Sequence, residues 1–144
     1  MRIHKKLVVR SIALATLGLA LSPAFIGRRA SASMVTECQS MINELHVETE
    51  TVVIGKNEDR NRTMLLSRLE NASDSLGRGK LCDAIGKLEG YRDRVGALAD
   101  AGTLNTDLTV GVTGQELMNG ASRTIVCIEF FATQSGETCT PSSQ

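Results

Sequence analysis

Aromatic residues and histidines are scarce in this chain of 144 residues, which has no tryptophan, one tyrosine, three phenylalanines and two histidines. The core must therefore be built from leucine, isoleucine, valine, methionine and alanine. The shortage also excludes the aromatic stacking platforms on which single-stranded nucleic acids bind. His46 is the only histidine after residue 32, so a Ser-His-Asp or Cys-His catalytic site would have to use it.

Motifs for catalysis, cofactors and metals are also missing. No serine lies in a G-x-S-x-G motif, and the chain has neither a P-loop nor a dinucleotide-binding fingerprint. The cysteines lack the C-x₂-C or Cys/His spacing of a zinc site. We therefore predict a non-enzyme with no catalytic, cofactor-binding or metal-binding residues. Glu44, His46, Glu48 and Glu50 would share one face of a strand, as a lone cation site needs, but we interpret them as the solvated edge of a helix and its exit.

Residues 1–32 have the pattern of a secretory signal peptide. Four basic residues and no acid occupy positions 1–10, an apolar segment of small residues follows over 11–27, and Ala30-Ser31-Ala32 is a cleavage motif. The unbroken apolar run, residues 11–21, is shorter than the roughly 20 residues that span a bilayer. We predict cleavage after Ala32, with Ala24 as the alternative site and an uncleaved anchor as the competing interpretation. The predicted location is secreted or periplasmic, with no membrane span after cleavage.

Removal of this segment would change the charge of the protein. The whole chain is balanced, with 16 basic and 16 acidic residues, but six of the basic residues precede position 33 and no acidic residue does. Residues 33–144 therefore carry a net charge of −6. An acidic chain with no basic stripe is not expected to bind nucleic acid.

Apolar residues recur at helical spacing in four segments, which predicts an all-α fold, a small antiparallel bundle of about four helices. The predicted helices cover residues 34–47, 62–76, 80–100 and about 114–128. Asn61 or Thr63 can cap the second helix, Gly77 fits a position of positive φ after it, and Thr113 and Glu116 match a capping box. The segment 46–54 reads as a helix tail or an extended piece. The predicted domains are a signal peptide (1–32), a bundle (33–131) and a flexible tail (132–144).

The second and third helices resemble a known family. The residues that carry the resemblance are Leu65, Leu66, Leu69, Ala72, Leu76 and Gly79, followed by Ala84, Leu88, Tyr91 and Val95. This pattern, best over residues 62–98, resembles the FIMAH domain, a small helical module at the C-terminal ends of secreted bacterial enzymes and surface proteins. Arg68 and Tyr91 stand where that family commonly has Lys and Phe. The resemblance implies a helical fold, a bacterial source and an accessory role, and it implies no catalytic site.

All four cysteines, Cys38, Cys82, Cys127 and Cys139, follow the predicted signal peptide, and an even number in an exported chain predicts two disulfides. In an up-down bundle three of them lie at one end and Cys139 lies on the tail that leaves it. Three pairings remain open on these grounds. Some relatives in the family carry cysteines at the positions of Cys82 and Cys127, and we favour that pair, which leaves Cys38 with Cys139.

The leading functional hypothesis is a secreted, non-enzymatic accessory module that mediates interaction with a protein or a component of the cell envelope. One alternative is a regulator or inhibitor that docks a partner through a groove between helices, with an exposed apolar patch along Met64 and Leu66. The other is a small extracellular hydrolase that uses His46 and a nearby carboxylate.

Overall fold

Four α-helices form a ring in the computed structural model, which describes residues 24–107, 109 and 111–139, with side chains from residue 33 onward. The helices are α1 (Ala24–Thr51), α2 (Glu58–Gly77), α3 (Leu81–Asp100) and α4 (Gly114–Gln134). Each helix packs against the next along the chain, and α4 packs against α1. The predicted all-α bundle with disulfide staples is confirmed.

The apolar stripes predicted from the sequence face the centre of this ring. Leu65, Leu69, Ala72 and Leu76 of α2 are at most 1% exposed, and the apolar stripes of α3 and α4 are buried as well. On α1, Cys38, Ile42 and Leu45 are buried, but Met41, at the same spacing, is only half-buried. Tyr91 is the largest fully buried side chain, and its hydroxyl reaches from α3 to Thr49 on the diagonally opposite α1. A helical period of 3.6 residues places these positions on one side of each helix, so the core follows directly from their spacing.

The helix α1 is longer than the predicted segment 34–47. It begins at Ala24 and ends at Thr51, where Thr49 donates a hydrogen bond to the carbonyl of Leu45 one turn earlier. The segment 46–54 combines the two possibilities left open, because the helix is followed by an extended piece in which Ile54 pairs antiparallel with Leu104. The alternating carboxylates near His46 are therefore helical and do not form a strand edge.

The turns around α2 differ from the prediction. The helix begins at Glu58 after Asn57, which has a left-handed backbone, so neither Asn61 nor Thr63 caps it. Asn61 is instead buried, where it donates to the carbonyl of Lys56 and accepts from Arg94 of α3. The positive φ between α2 and α3 belongs to Gly79, at 72°, and not to Gly77. Because glycine has no Cβ atom, Gly79 adopts this angle without a steric clash, and the chain reverses between α2 and α3 within three residues.

The capping box at the start of α4 is confirmed. The backbone N–H of Glu116 donates to the Thr113 hydroxyl, and the backbone N–H of Thr113 donates to the Glu116 carboxylate. The helix continues past the predicted end near residue 128, because Phe131 and Ala132 are buried in the core. The turn at Gly136, with φ of 76°, then reverses the chain. Residues 140–144 of the predicted tail lie outside the described residues.

The favoured disulfide pairing is wrong. Cys38 of α1 is bonded to Cys127 of α4, and Cys82 at the start of α3 is bonded to Cys139. Cys127 lies on the side of α4 that faces α1, seven residues after Gly120, which also contacts α1. The chain reversal after α4 brings Cys139 back to the first turn of α3. The pairing is decided by the side of α4 on which Cys127 lies and by the turn that brings Cys139 back to α3. Neither feature follows from the number or order of the cysteines.

The predicted signal peptide lies mostly outside the described residues, which begin at residue 24. Residues 24–32 form the first turns of α1. Within the described part of the chain, none of the helices combines the length and the apolar character that crossing a membrane requires.

Candidate functional site: the cleft between α1 and α4

A glycine brings α1 and α4 close together. A Cβ atom added at Gly120 would lie 2.7 Å from the Leu45 Cδ2 atom, which is closer than a real side chain could approach. The missing side chain therefore lets Leu45 pack onto the backbone of α4. On the outer side of this contact, longer polar side chains of the two helices diverge and leave an open cleft between them.

The cleft, which we call the α1–α4 cleft, consists of two adjoining depressions that share Glu48 and Arg123. The larger has a volume of about 420 Å³ and lies beside the loop that precedes α4; it is completed by Gly111, Val112, Glu116 and Asn119. The smaller, about 180 Å³, continues along the helices past Met41, Glu44 and Thr124. The two together form an elongated groove that can hold an extended side chain or a short peptide segment.

The electrostatics of the α1–α4 cleft are dominated by carboxylates. Glu44, Glu48 and Glu116 line it with a single guanidinium, that of Arg123. Burial raises the pKa of Glu48, the negative charge of Glu44 raises it further, and Glu116 adds a smaller effect in the same direction. Arg123 partly offsets these effects. The surroundings of Glu48 disfavour its ionised form, so a cation that enters the cleft would stabilise the Glu48 carboxylate.

His46 does not belong to this cleft. It lies on the side of α1 that faces α2, where its Nδ1 atom is 3.7 Å from Glu50 Oε1 and its Nε2 atom is 4.0 Å from Glu70 Oε1. The helical turn separates it from Glu44 and Glu48, so the four residues considered as a set do not converge. Among the hydrogen bonds of the described residues, none joins His46 to a serine, threonine or cysteine.

The four cysteines are all in disulfides, and this removes the thiolates that a cysteine-ligated metal site would need. Cys82, Cys139 and Glu137 place three possible ligand atoms within 4.8 Å of one another. Both sulfur atoms are bonded to each other, however, and the Glu137 Oε1 atom lies 3.2 Å from the Cys82 Sγ atom. In the oxidised protein the cluster is therefore a disulfide beside a carboxylate.

Sequence reasoning missed the residues of the cleft other than Glu44 and Glu48. Gly120 lies within α4 at the position where α1 approaches. A glycine inside a helical segment was the available signal for this close approach. Arg123 is the only basic residue within α4, but its place opposite Glu48 depends on the register of two helices that are distant in sequence.

No family model, curated protein or solved structure matches the chain.

Proposed function

We propose that this protein is a secreted, non-enzymatic binding module whose α1–α4 cleft holds a cationic segment of a partner protein. The observation that carries the proposal is the cleft itself, in which three carboxylates surround a groove and one of them, Glu48, is partly desolvated. Carboxylates held in fixed positions on two helices attract lysine and arginine side chains and form charge-assisted hydrogen bonds with them.

Several features support the role of an extracellular accessory module. The sequence begins with the pattern of an export signal, and two disulfides are typical of proteins that work outside the cytoplasm. The resemblance of residues 62–98 to the FIMAH domain is part of the same proposal, since that family consists of appended helical modules. The alternatives have less support, because Met64 and Leu66 are half-buried and His46 has carboxylate neighbours but no nucleophile.

The test measures binding of a short arginine-rich peptide to the secreted protein by calorimetry, with backbone amide shifts recorded in parallel. The variant Glu44→Gln/Glu48→Gln removes two charges from the cleft while preserving the shape of both side chains. We expect it to weaken binding by about tenfold or more, since loss of charge pairing of about 1.4 kcal/mol has that effect. Amide shifts of the wild-type protein should concentrate around Gly111 and Asn119.

The matched control is Glu50→Gln/Glu70→Gln, which removes the same total charge beside His46 on another face. We expect this control to bind the peptide almost as well as the wild type. Equal weakening by both variants would mean that the peptide responds only to net charge, and it would contradict a role of the cleft.

A further inference from the structure

The groove between α2 and α3, on the opposite side of the ring from the α1–α4 cleft, is basic. Five of the ten basic residues after position 32 line this groove, which we call the α2–α3 groove: Arg68, Arg78, Lys80, Lys87 and Arg94. Asp74 and Asp83 are the acidic residues at its end near Gly79. A concentration of positive charge on one side is unexpected in a chain whose net charge after residue 32 is −6.

Arg68 is held in this groove without a partner of its own. Its guanidinium lies on the backbone of α3 at Gly90, so closely that a Cβ atom added there would be 2.5 Å from the Nη1 atom. The Nε atom is buried and makes no hydrogen bond, and no ion pair among the described residues involves Arg68. Buried donors are normally paired, because an unpaired one loses its hydration without compensation.

Arg94, one helical turn after Gly90 on α3, is held in the groove in a similar way. One of its terminal nitrogens donates to Asn61, but its Nε atom is also buried without a partner. Arg68 and Arg94 are the two residues with such orphaned side-chain atoms among the described residues. The two Nε atoms are shielded from solvent, so a ligand meets the terminal nitrogens of the two guanidinium groups. Those of Arg68 make no hydrogen bond among the described residues, and Arg94 uses one of its own on Asn61. A carboxylate is the ligand that matches the geometry of such groups.

We propose that copies of this protein associate head to tail, with the carboxylates of the α1–α4 cleft of one copy docked on the arginines of the α2–α3 groove of the next. This inference rests on the proposed function and names the occupant of the cleft. The two surfaces lie on opposite sides of one ring, so the contact is heterologous and leaves a free surface at each end of the pair. Repetition extends the assembly beyond a dimer.

The size of the surfaces sets the strength of the contact. Helices α2 and α3 have 20 residues each, and at 1.5 Å per residue and a width of about 10 Å for each helix they present together a face of roughly 600 Å². Two such faces would bury about 1,200 Å² in total, at the lower end of specific interfaces. The association is therefore weak, depends on concentration and is reduced by salt.

The experiment is sedimentation velocity of the secreted protein over a range of concentrations, at low and at high salt. The wild type should form species larger than a dimer at low salt and dissociate at high salt. Arg68→Gln should prevent this growth, whereas Arg92→Gln, which removes the same charge from another side of α3, should not. Gly90→Ala tests the site without removing a charge, because the added methyl group displaces the Arg68 guanidinium, and it should weaken self-association as well.

Mixing two variants tests the head-to-tail geometry. Arg68→Gln keeps an intact cleft and Glu44→Gln/Glu48→Gln keeps an intact basic groove, so neither should associate alone, but an equimolar mixture should form dimers and nothing larger.

A wild type that stays monomeric at all concentrations and salt levels, or a mixture that forms no dimer, would overturn the proposal. Arginine-peptide binding that persists in a monomeric wild type would leave the proposed function intact and reject only the second copy as its occupant. Binding of an anionic polymer to the α2–α3 groove by a protein that does not self-associate would also overturn the head-to-tail proposal.

Discussion

The Tyr91 hydroxyl donates a hydrogen bond to Thr49 in the centre of the bundle. The single hydroxyl proton of Thr49 is directed at the carbonyl of Leu45, 2.7 Å away, so in the contact of 2.7 Å between the two hydroxyls Tyr91 must be the donor. This bond joins α3 to α1 across the ring, where the two helices are not neighbours. Tyr91 is the largest fully buried side chain, and its hydrogen bond also fixes the distance between two helices that lie diagonally across the ring.

Alkaline titration should unfold the protein when this tyrosine ionises. Burial raises the pKa of Tyr91 well above its ordinary value of about 10, the negative charge of Glu48 adds to the effect, and ionisation also removes the proton that Tyr91 donates to Thr49. Since the unfolded chain loses the phenol proton at a lower pH than the folded chain, the stabilisation is complete below about pH 10 and is lost as the pH rises further.

The measurement is direct, because Tyr91 is the only tyrosine and the chain has no tryptophan. Phenolate absorbance should appear together with the loss of helical circular dichroism, in one transition. A phenolate signal that develops near pH 10 while the helices remain intact would show that the hydroxyl is accessible, contrary to the structure. Tyr91→Phe provides the baseline, and its alkaline unfolding should lack the component due to this group.

At the scale of the element, the end of α1 depends on a side chain from α2. Arg62 donates to the backbone carbonyls of Thr49 and Glu50, and it also pairs with Glu58 one turn earlier on its own helix. The last carbonyls of a helix have no partner within it and carry partial negative charge, so a guanidinium placed there satisfies and stabilises them. The α1–α2 connection is consequently fixed without a glycine C-cap on α1.

Arg62→Met should lower the free energy of unfolding by about 1–2 kcal/mol, because it leaves two carbonyls at the end of α1 without their charged donor. The apolar stem is kept, so the loss reports on the guanidinium. Arg60→Met, two residues earlier at an exposed position, is the matched control and should change the free energy by less than about 0.5 kcal/mol. Urea denaturation followed by circular dichroism measures both. Similar effects of the two variants would show that Arg62 acts only through net charge.

The elements were predictable from the sequence where they depend on periodicity, and not where they depend on a distant partner. The spacing of Leu65, Leu69 and Leu76 predicts their burial, and Thr113 with Glu116 predicts the start of α4, since both signals are local. Asn61 was misread as a cap because its real partner, Arg94, is 33 residues away. The α1–α4 cleft was not predictable for the same reason: the sequence does not reveal that Gly120 meets Leu45.

At the scale of the whole molecule, the two disulfides close the same end of the bundle in different ways. Cys38–Cys127 joins α1 to α4 at the edge of the core, where Cys38 is fully buried and Cys127 is half-buried. Cys82–Cys139 fastens the segment after α4 to the start of α3, and both of its residues are partly exposed. The closed loops span 89 and 57 residues, a difference worth only about 0.4 kcal/mol in loop entropy. Access of the reductant, and not loop length, should therefore set the order of reduction.

Limited reduction with a dithiol at neutral pH, followed by alkylation and peptide mapping, should modify Cys82 and Cys139 before Cys38 and Cys127. The Glu137 carboxylate beside the Cys82 sulfur repels an incoming thiolate, so Glu137→Gln should accelerate this first reduction and leave the second unchanged. A neutral phosphine reductant is the control, since its attack should depend much less on that charge. Simultaneous loss of both disulfides would mean that opening the first one unfolds the bundle, whereas earlier modification of Cys38 would contradict its burial against α4.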